Sequence, residues 1–107
     1  MMYRLKHYVN SSGDDLFGAW LDSIIDIRTR SRITARLLRL NNGNFGDCKP
    51  VGEGVWELRV DTGPGYRVYY AIDNGKVILL CEGGDKRTQR SDIKRAILRW
   101  QDWKERK

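Results

Sequence analysis

Arg59 and Arg67 lie either side of Gly63 in the stretch GVWELRVDTGPGYRVYY, residues 54–70, which reads as two strands around a turn. With the turn centred on Gly63, Val60 pairs with Tyr66, Arg59 with Arg67, and Glu57 with Tyr69. Cross-strand partners share one face of a sheet, so two guanidinium groups meet beside one carboxylate. A guanidinium presents fixed donors to two oxygens at once, the geometry that phosphate recognition uses. The same pattern also serves an ordinary solvated sheet on which Glu57 bridges the arginines. The segment EGGDKRTQRSD, residues 82–92, adds Lys86, Arg87 and Gln89 at a strand exit ahead of a helix. There, free backbone N–H groups and the helix dipole also favour anions. Arg59, Arg67 and Lys86 are thus candidate catalytic groups with Glu57 as the nearest base. Arg87, Gln89 and Tyr69 are candidate substrate contacts, Tyr69 by stacking on a base or donating to phosphate.

Other chemistries find fewer residues. His7 is the single histidine, and Cys48 and Cys81 are far apart, so no zinc or iron ligand set and no Cys/His or Ser/His/Asp nucleophile system assembles. No metal and no cofactor is expected. Both cysteines read as reduced structural thiols. The N-terminus MMYRLKHYVN lacks the apolar core of a signal peptide, and no apolar run approaches the roughly 20 residues of a membrane span, so a cytoplasmic protein without membrane contact is expected. The net charge is +6, unevenly spread. Residues 1–85 hold 11 basic and 11 acidic side chains and residues 86–107 hold 9 basic and 3 acidic, which points to a polyanion or an acidic partner, or to a solvated basic helix.

These residues need elements to hold them. At 107 residues, 40% hydrophobic and 32% charged, the chain fits one globular domain spanning 1–107. Tyr3, Leu5 and Val9 suggest a short edge strand. After SSGDD, with Ser12 as N-cap, Leu16, Phe17, Trp20, Leu21 and Ile24 follow helical spacing. A second helix from Ser23 or Asp26 to Leu40 buries Ile33, Leu37 and Leu40, with Arg28, Arg32, Arg36 and Arg39 on a face that either grips RNA or is solvated and bridged to Asp22, Asp26 or the acids of a partner. Strands are expected at Val55 to Val60, Tyr66 to Ile72 and Lys76 to Cys81, with a weaker one at Asp47 to Val51, and DNG at 73–75 is the strongest hairpin signal. Gly83 and Gly84 read as a sharp turn. Ile93, Ile97 and Trp100 then mark a last helix with Ser91 as N-cap. Period two puts Trp56, Leu58, Val60, Tyr66, Val68 and Tyr70 on a packed face, and Glu57, Arg59, Arg67 and Tyr69 on a solvent-facing one.

FGAWLDSI, LLRLNNGNFGDCKPVGEGVWELRVDTGPGYRVYYAI and LLCEGGDKRTQRSDIKRA, in that order and spacing, resemble the RelE/ParE toxin superfamily, in its HigB-like or phage-derived addiction-module-killer branch. The resemblance covers nearly the whole chain. It implies a RelE-like α+β fold: an N-terminal strand and a two-helix hairpin packed on a small twisted antiparallel sheet, with a C-terminal helix. It also implies a type II toxin neutralised by a helix-turn-helix, HigA-like antitoxin. RelE-like and HigB-like members cut mRNA on the ribosome, whereas ParE-like members poison DNA gyrase. By motif, Arg67 in GYRVYY corresponds to the family's phosphate-contacting arginine, Lys86 and Arg87 to its basic pair after the last strand, and Arg59 to a basic strand position. The C-terminal tyrosine of some RelE members has no counterpart around Lys94. Their strand lysines have none at Trp56 or Glu57, so acid and base roles do not transfer. The expected activity is metal-independent mRNA cleavage by 2′-OH attack. The alternatives are a gyrase inhibitor and a non-catalytic docking protein.

Overall fold

The computed structural model describes residues 2–106, so Met1 and Lys107, the ends of the expected domain, lie outside it. Strand β1 (Arg4–His7) leads into helices α1 (Leu16–Ser23) and α2 (Ile27–Asn41). Strands β2 (Cys48–Gly52), β3 (Val55–Val60), β4 (Tyr66–Asp73) and β5 (Val77–Asp85) follow, then a 3₁₀ turn (Lys86–Thr88) and helix α3 (Gln89–Glu105). The α+β class and order of elements are those the sequence predicts.

The five strands form one sheet in the order β1-β5-β4-β3-β2. Pairings among β2 to β5 are antiparallel, but β1 lies parallel to β5, so the sheet is mixed rather than antiparallel. The helical pair carries the chain from one sheet edge to the other, and three successive hairpins bring it back beside β1. The central register is as read from the sequence: Val60 opposite Tyr66, Arg59 opposite Arg67, Glu57 opposite Tyr69. At the DNG turn Asn74 and Gly75 both adopt positive φ, 55° and 66°, the handedness that closes a tight hairpin.

Each face of the sheet has its own core. On one, Phe17, Ile24, Ile33, Leu37 and Leu40 of the helical pair pack on Leu58, Val60, Val68, Tyr70, Ile78 and Leu80. Trp56 points to this face as expected, yet remains 37% exposed because it sits near the β2 edge. The other face is not solvated. Ala96 and Trp100 of α3 cover Val55, Tyr69, Ala71, Leu79 and Cys81, with Ile93, Ile97 and Trp103 packed around them. Burying an aliphatic or aromatic side chain contributes about 1.5–3 kcal/mol, enough for the apolar stripe of α3 to seek this face rather than water.

Three local expectations need correction. Strand β5 runs on to Asp85, past the expected end at Cys81, with a bulge opposite Tyr69 and Tyr70. Gly83 and Gly84 are therefore strand residues. A Cβ on Gly83 would run into the Trp20 indole and one on Gly84 into the Asp92 carboxylate, so close packing rather than turning calls for glycine. Helix α1 is capped by Asp15, whose carboxylate accepts from Gly18 N at 2.9 Å, and not by Ser12. At the last helix Asp85 caps the 3₁₀ turn through Arg87 N at 2.8 Å, while the Ser91 hydroxyl donates back to the Thr88 carbonyl.

Candidate functional site

Glu57 and Arg59 alternate onto the α3 face of β3. The register sets Lys49 of β2 and Tyr69 of β4 on either side of Glu57, and Arg67 and Gly84 in line with Arg59. The Glu57 carboxylate is fully buried. It accepts from Gln89 Nε2 at 2.9 Å, from the Tyr69 hydroxyl at 3.2 Å and from Arg59 Nε at 3.4 Å. Arg67 Nε and Lys49 Nζ approach to 3.8 and 3.9 Å. Three cations thus surround one carboxylate, and the cluster keeps a net positive charge.

Arg67 departs from the expected solvent-facing position, since its side chain is only 10% exposed. Its Nη1 donates to the Tyr66 carbonyl at 3.2 Å, and its Nε has no hydrogen-bond partner. Gly65, at φ 81°, lets the β3–β4 turn lie against this guanidinium. A Cβ there would come within 3.3 Å of Arg67 Nη1 and 3.6 Å of Lys86 Cβ, so Arg67 and Lys86 flank the same glycine.

Lys49, Glu57, Lys86, Arg87, Gln89 and Arg90 line an open concavity of about 490 Å³ over this cluster. Its exposed rim is cationic and its floor holds the Glu57 carboxylate. The sequence-predicted residues are brought together unequally. Glu57, Arg59, Arg67, Tyr69 and Gln89 form one contact group, with Lys86 beside it. The Arg87 side chain turns back to Asp85, Nη2 to Oδ2 at 3.0 Å, and stays largely exposed. That guanidinium holds the Asp85 carboxyl below the usual range. Tyr69 is fully buried beneath α3, which leaves no ring face for a base to stack on. Burial first, and then the Glu57 charge, push its phenol up, so it serves as a protonated donor to Glu57. The Gln89 amide is likewise turned toward Glu57.

Lys49 and Arg90 were not picked out by sequence reading. For Lys49 the signal was present in DCKPVGEG: a short strand closing onto β3 puts Lys49 opposite Glu57. The basic excess of the last segment is also smaller than its composition implies. Arg95 and Arg99 pair with the buried Glu82 at 2.6 and 3.0 Å, and Arg95 also pairs with Asp92. Arg106 pairs with Asp102 at 2.8 Å. Much of α3's charge therefore holds the helix to the sheet, and the Lys86–Arg90 end carries what faces the concavity.

A mixed sheet with a helical pair on one face, a C-terminal helix on the other and a cationic concavity beside that helix's first turn describes a small α+β protein with room for an anion. The chain belongs to the phage-derived Gp49-like family: the profile described as "Phage derived protein Gp49-like (DUF891)" matches residues 19–101. That span includes the whole Glu57 cluster. A protein of Haemophilus influenzae, described as uncharacterized, is 50% identical over 82 residues, which cover 77% of this chain and 83% of that protein.

Proposed function

We propose that the protein is the toxin of a type II toxin–antitoxin module and acts as an endoribonuclease that cuts mRNA on the ribosome, with a helix-turn-helix antitoxin as its inhibitor. The observation that carries this reading is the Glu57 cluster, in which Lys49, Arg59 and Arg67 surround one buried carboxylate beneath an open rim that includes Lys86. A positive excess held in place by β-strands stabilises charge without reorganising as the charge develops. Membership of a phage-derived family and the three motifs of RelE/HigB type support the same reading.

In this reaction the ribose 2′-OH attacks the adjacent phosphorus, the P–O5′ bond breaks, and the products are a 2′,3′-cyclic phosphate and a 5′-hydroxyl. Arg59 and Arg67 bind the phosphorane oxygens. Lys86 gives a proton to the leaving 5′-oxygen or orients it, and Glu57 takes the proton of the 2′-OH. Glu57 lies behind Gln89, so as the base it exchanges the Gln89 donor for the 2′-OH. Much of the acceleration comes from in-line positioning and charge stabilisation.

Pulsed expression followed by mapping of new mRNA 5′ ends tests the proposal. New 5′-hydroxyl ends inside translated frames at a fixed codon position, lost with Arg59→Ala, support it. Growth arrest without new ends would move the target to a protein such as gyrase. Neither arrest nor cleavage would leave a docking surface.

A further inference from the structure

Helix α2 presents a second exposed surface, on the side of the sheet opposite α3. Its inner face buries Thr29, Ile33, Leu37 and Leu40. On its outer face Ile27, Ser31, Thr34 and Leu38 succeed one another at steps of four, three and four residues, the spacing of a coiled-coil seam. Ile27 and Leu38 are 67% and 55% exposed, and a shallow groove of about 420 Å³ runs between them. Large exposed apolar side chains aligned on one stripe mark an interaction surface.

Charge identifies what the seam fits. Helix α2 carries five arginines and no acidic residue. Arg32 and Arg36 reach to β3 and its turn, donating to Thr62 Oγ1 at 3.2 Å and to the Arg59 carbonyl at 2.8 Å. Arg28, Arg30 and Arg39 make no ion pair among the described residues. The expected bridge to Asp26 does not form, because that carboxylate caps the helix through Arg28 N and Thr29 Oγ1. Arg28 and Arg30 therefore flank the seam on its two sides, where a paired helix would place its own charges. A second copy of α2 would oppose arginine with arginine. Single-stranded nucleic acid uses aromatic platforms between cations, and α2 has no aromatic residue.

We infer that the outer face of α2 docks an amphipathic helix of a partner protein, with apolar residues seated along Ile27–Leu38 and acidic residues paired to Arg28 and Arg30. The inference is independent of the nuclease reading, since the Glu57 cluster lies on the other face of the sheet.

The probe is a synthetic peptide of about three heptads with Leu at the seam positions and Glu at the flanks. Its counterpart carries Lys in place of Glu. Fluorescence anisotropy should give a dissociation constant on the order of ten micromolar for the acidic peptide, weakening severalfold as salt is raised. Amide shifts should map to α2. Ile27→Asp with Leu38→Asp should weaken binding at least about tenfold while the thermal melt is unchanged, because both side chains are exposed. Absence of binding, equal binding of the Lys peptide, or shifts at the Glu57 concavity instead of α2 would each overturn the inference. So would oligouridylate shifting the same α2 amides.

Discussion

Gln89 Nε2 donates to Glu57 Oε2 across 2.9 Å, joining two residues 32 positions apart and tying the first turn of α3 to the middle of β3. The contact sets where α3 begins relative to the cationic cluster. Removal of the amide in Gln89→Ala should cost about 2 kcal/mol in a denaturant melt, the net worth of a bond to a charged group. Gln89→Glu should cost more, because it sets a second carboxylate against one that is already buried. Equal stability of the two variants would contradict the contact.

Among the described residues, the charged side chains that close on Glu57 are the cations Lys49, Arg59 and Arg67, so neutralising Glu57 removes the counter-charge of a buried arginine. Breaking a buried ion pair from one side costs about 3–5 kcal/mol. Glu57→Gln should fall near the lower end, about 3 kcal/mol, since the Lys49 and Arg59 side chains are 52% and 39% exposed and water screens part of their charge. Inorganic phosphate should raise the melting temperature of this variant more than that of the wild type, because an anion replaces the missing charge. Equal shifts in the two proteins would contradict a cationic excess at this site.

The hairpin register was legible because period two sorted ELR and YRVYY cleanly around the turn, and Arg59, Arg67, Glu57 and Tyr69 emerged from that sorting alone. What was not legible was the cover. Nothing in the hairpin shows that α3 packs over its polar-looking face, because the buried Glu57 takes one of its hydrogen bonds from Gln89, a residue far along the chain, beside those from Tyr69 and Arg59. Other contacts distant in sequence, with Trp20 of α1 and Asp92 of α3, hid the roles of Gly83 and Gly84. Paired glycines punctuate turns far more often than they admit a tryptophan and a carboxylate. Asp85, the residue that caps the turn after β5, was visible in GGDKRT, but a strand assumed to end at Cys81 placed the cap too late, at Ser91.

Those glycines give a direct test of packing. Gly83→Ala forces its methyl into the Trp20 ring, itself packed against Phe17 and Tyr66. Overpacking of this kind costs about 1–3 kcal/mol, and chemical denaturation should place the variant in the upper half of that range. A variant as stable as the wild type would mean that Trp20 lies elsewhere in solution.

Alkaline stability follows from three tyrosines. Tyr8, Tyr69 and Tyr70 are each raised above the ordinary 10.0, first by burial, then respectively by the Asp102 bond, the Glu57 charge and the Cys48 bond. A folded state that holds these protons more tightly than the unfolded chain is stabilised below pH 10, and the contribution is lost as pH climbs through the folded values. Melting temperature should therefore start to fall above about pH 10, with ultraviolet titration showing the phenols ionising together with unfolding. The Cys81 thiol, pushed up to about 12 by burial, should resist an aromatic disulfide reagent until the protein unfolds. Ionisation of all five phenols while the fold persists would contradict the buried Glu57–Tyr69 contact.

Lys86 and Arg87 are adjacent, equally basic, and placed differently. Lys86 flanks Gly65 beside Arg67, whereas Arg87 closes on Asp85 at the foot of the 3₁₀ turn with its side chain 81% exposed. If the proposed cleavage is correct, Lys86→Ala removes the group nearest the leaving oxygen, and cleavage should fall about 10²- to 10⁴-fold, the usual worth of a positioned acid. Arg87→Ala removes an exposed ion pair and should leave cleavage within about threefold. Lys86→Arg keeps the charge but cannot deliver a proton, so it separates the two roles open to Lys86. Recovery with arginine would assign electrostatic orientation, and persistent loss would assign proton transfer. The readout is single-turnover cleavage of mRNA in a purified translation system. A larger loss with Arg87→Ala than with Lys86→Ala would move the reaction centre out of the Glu57 concavity and onto the exposed side of the turn.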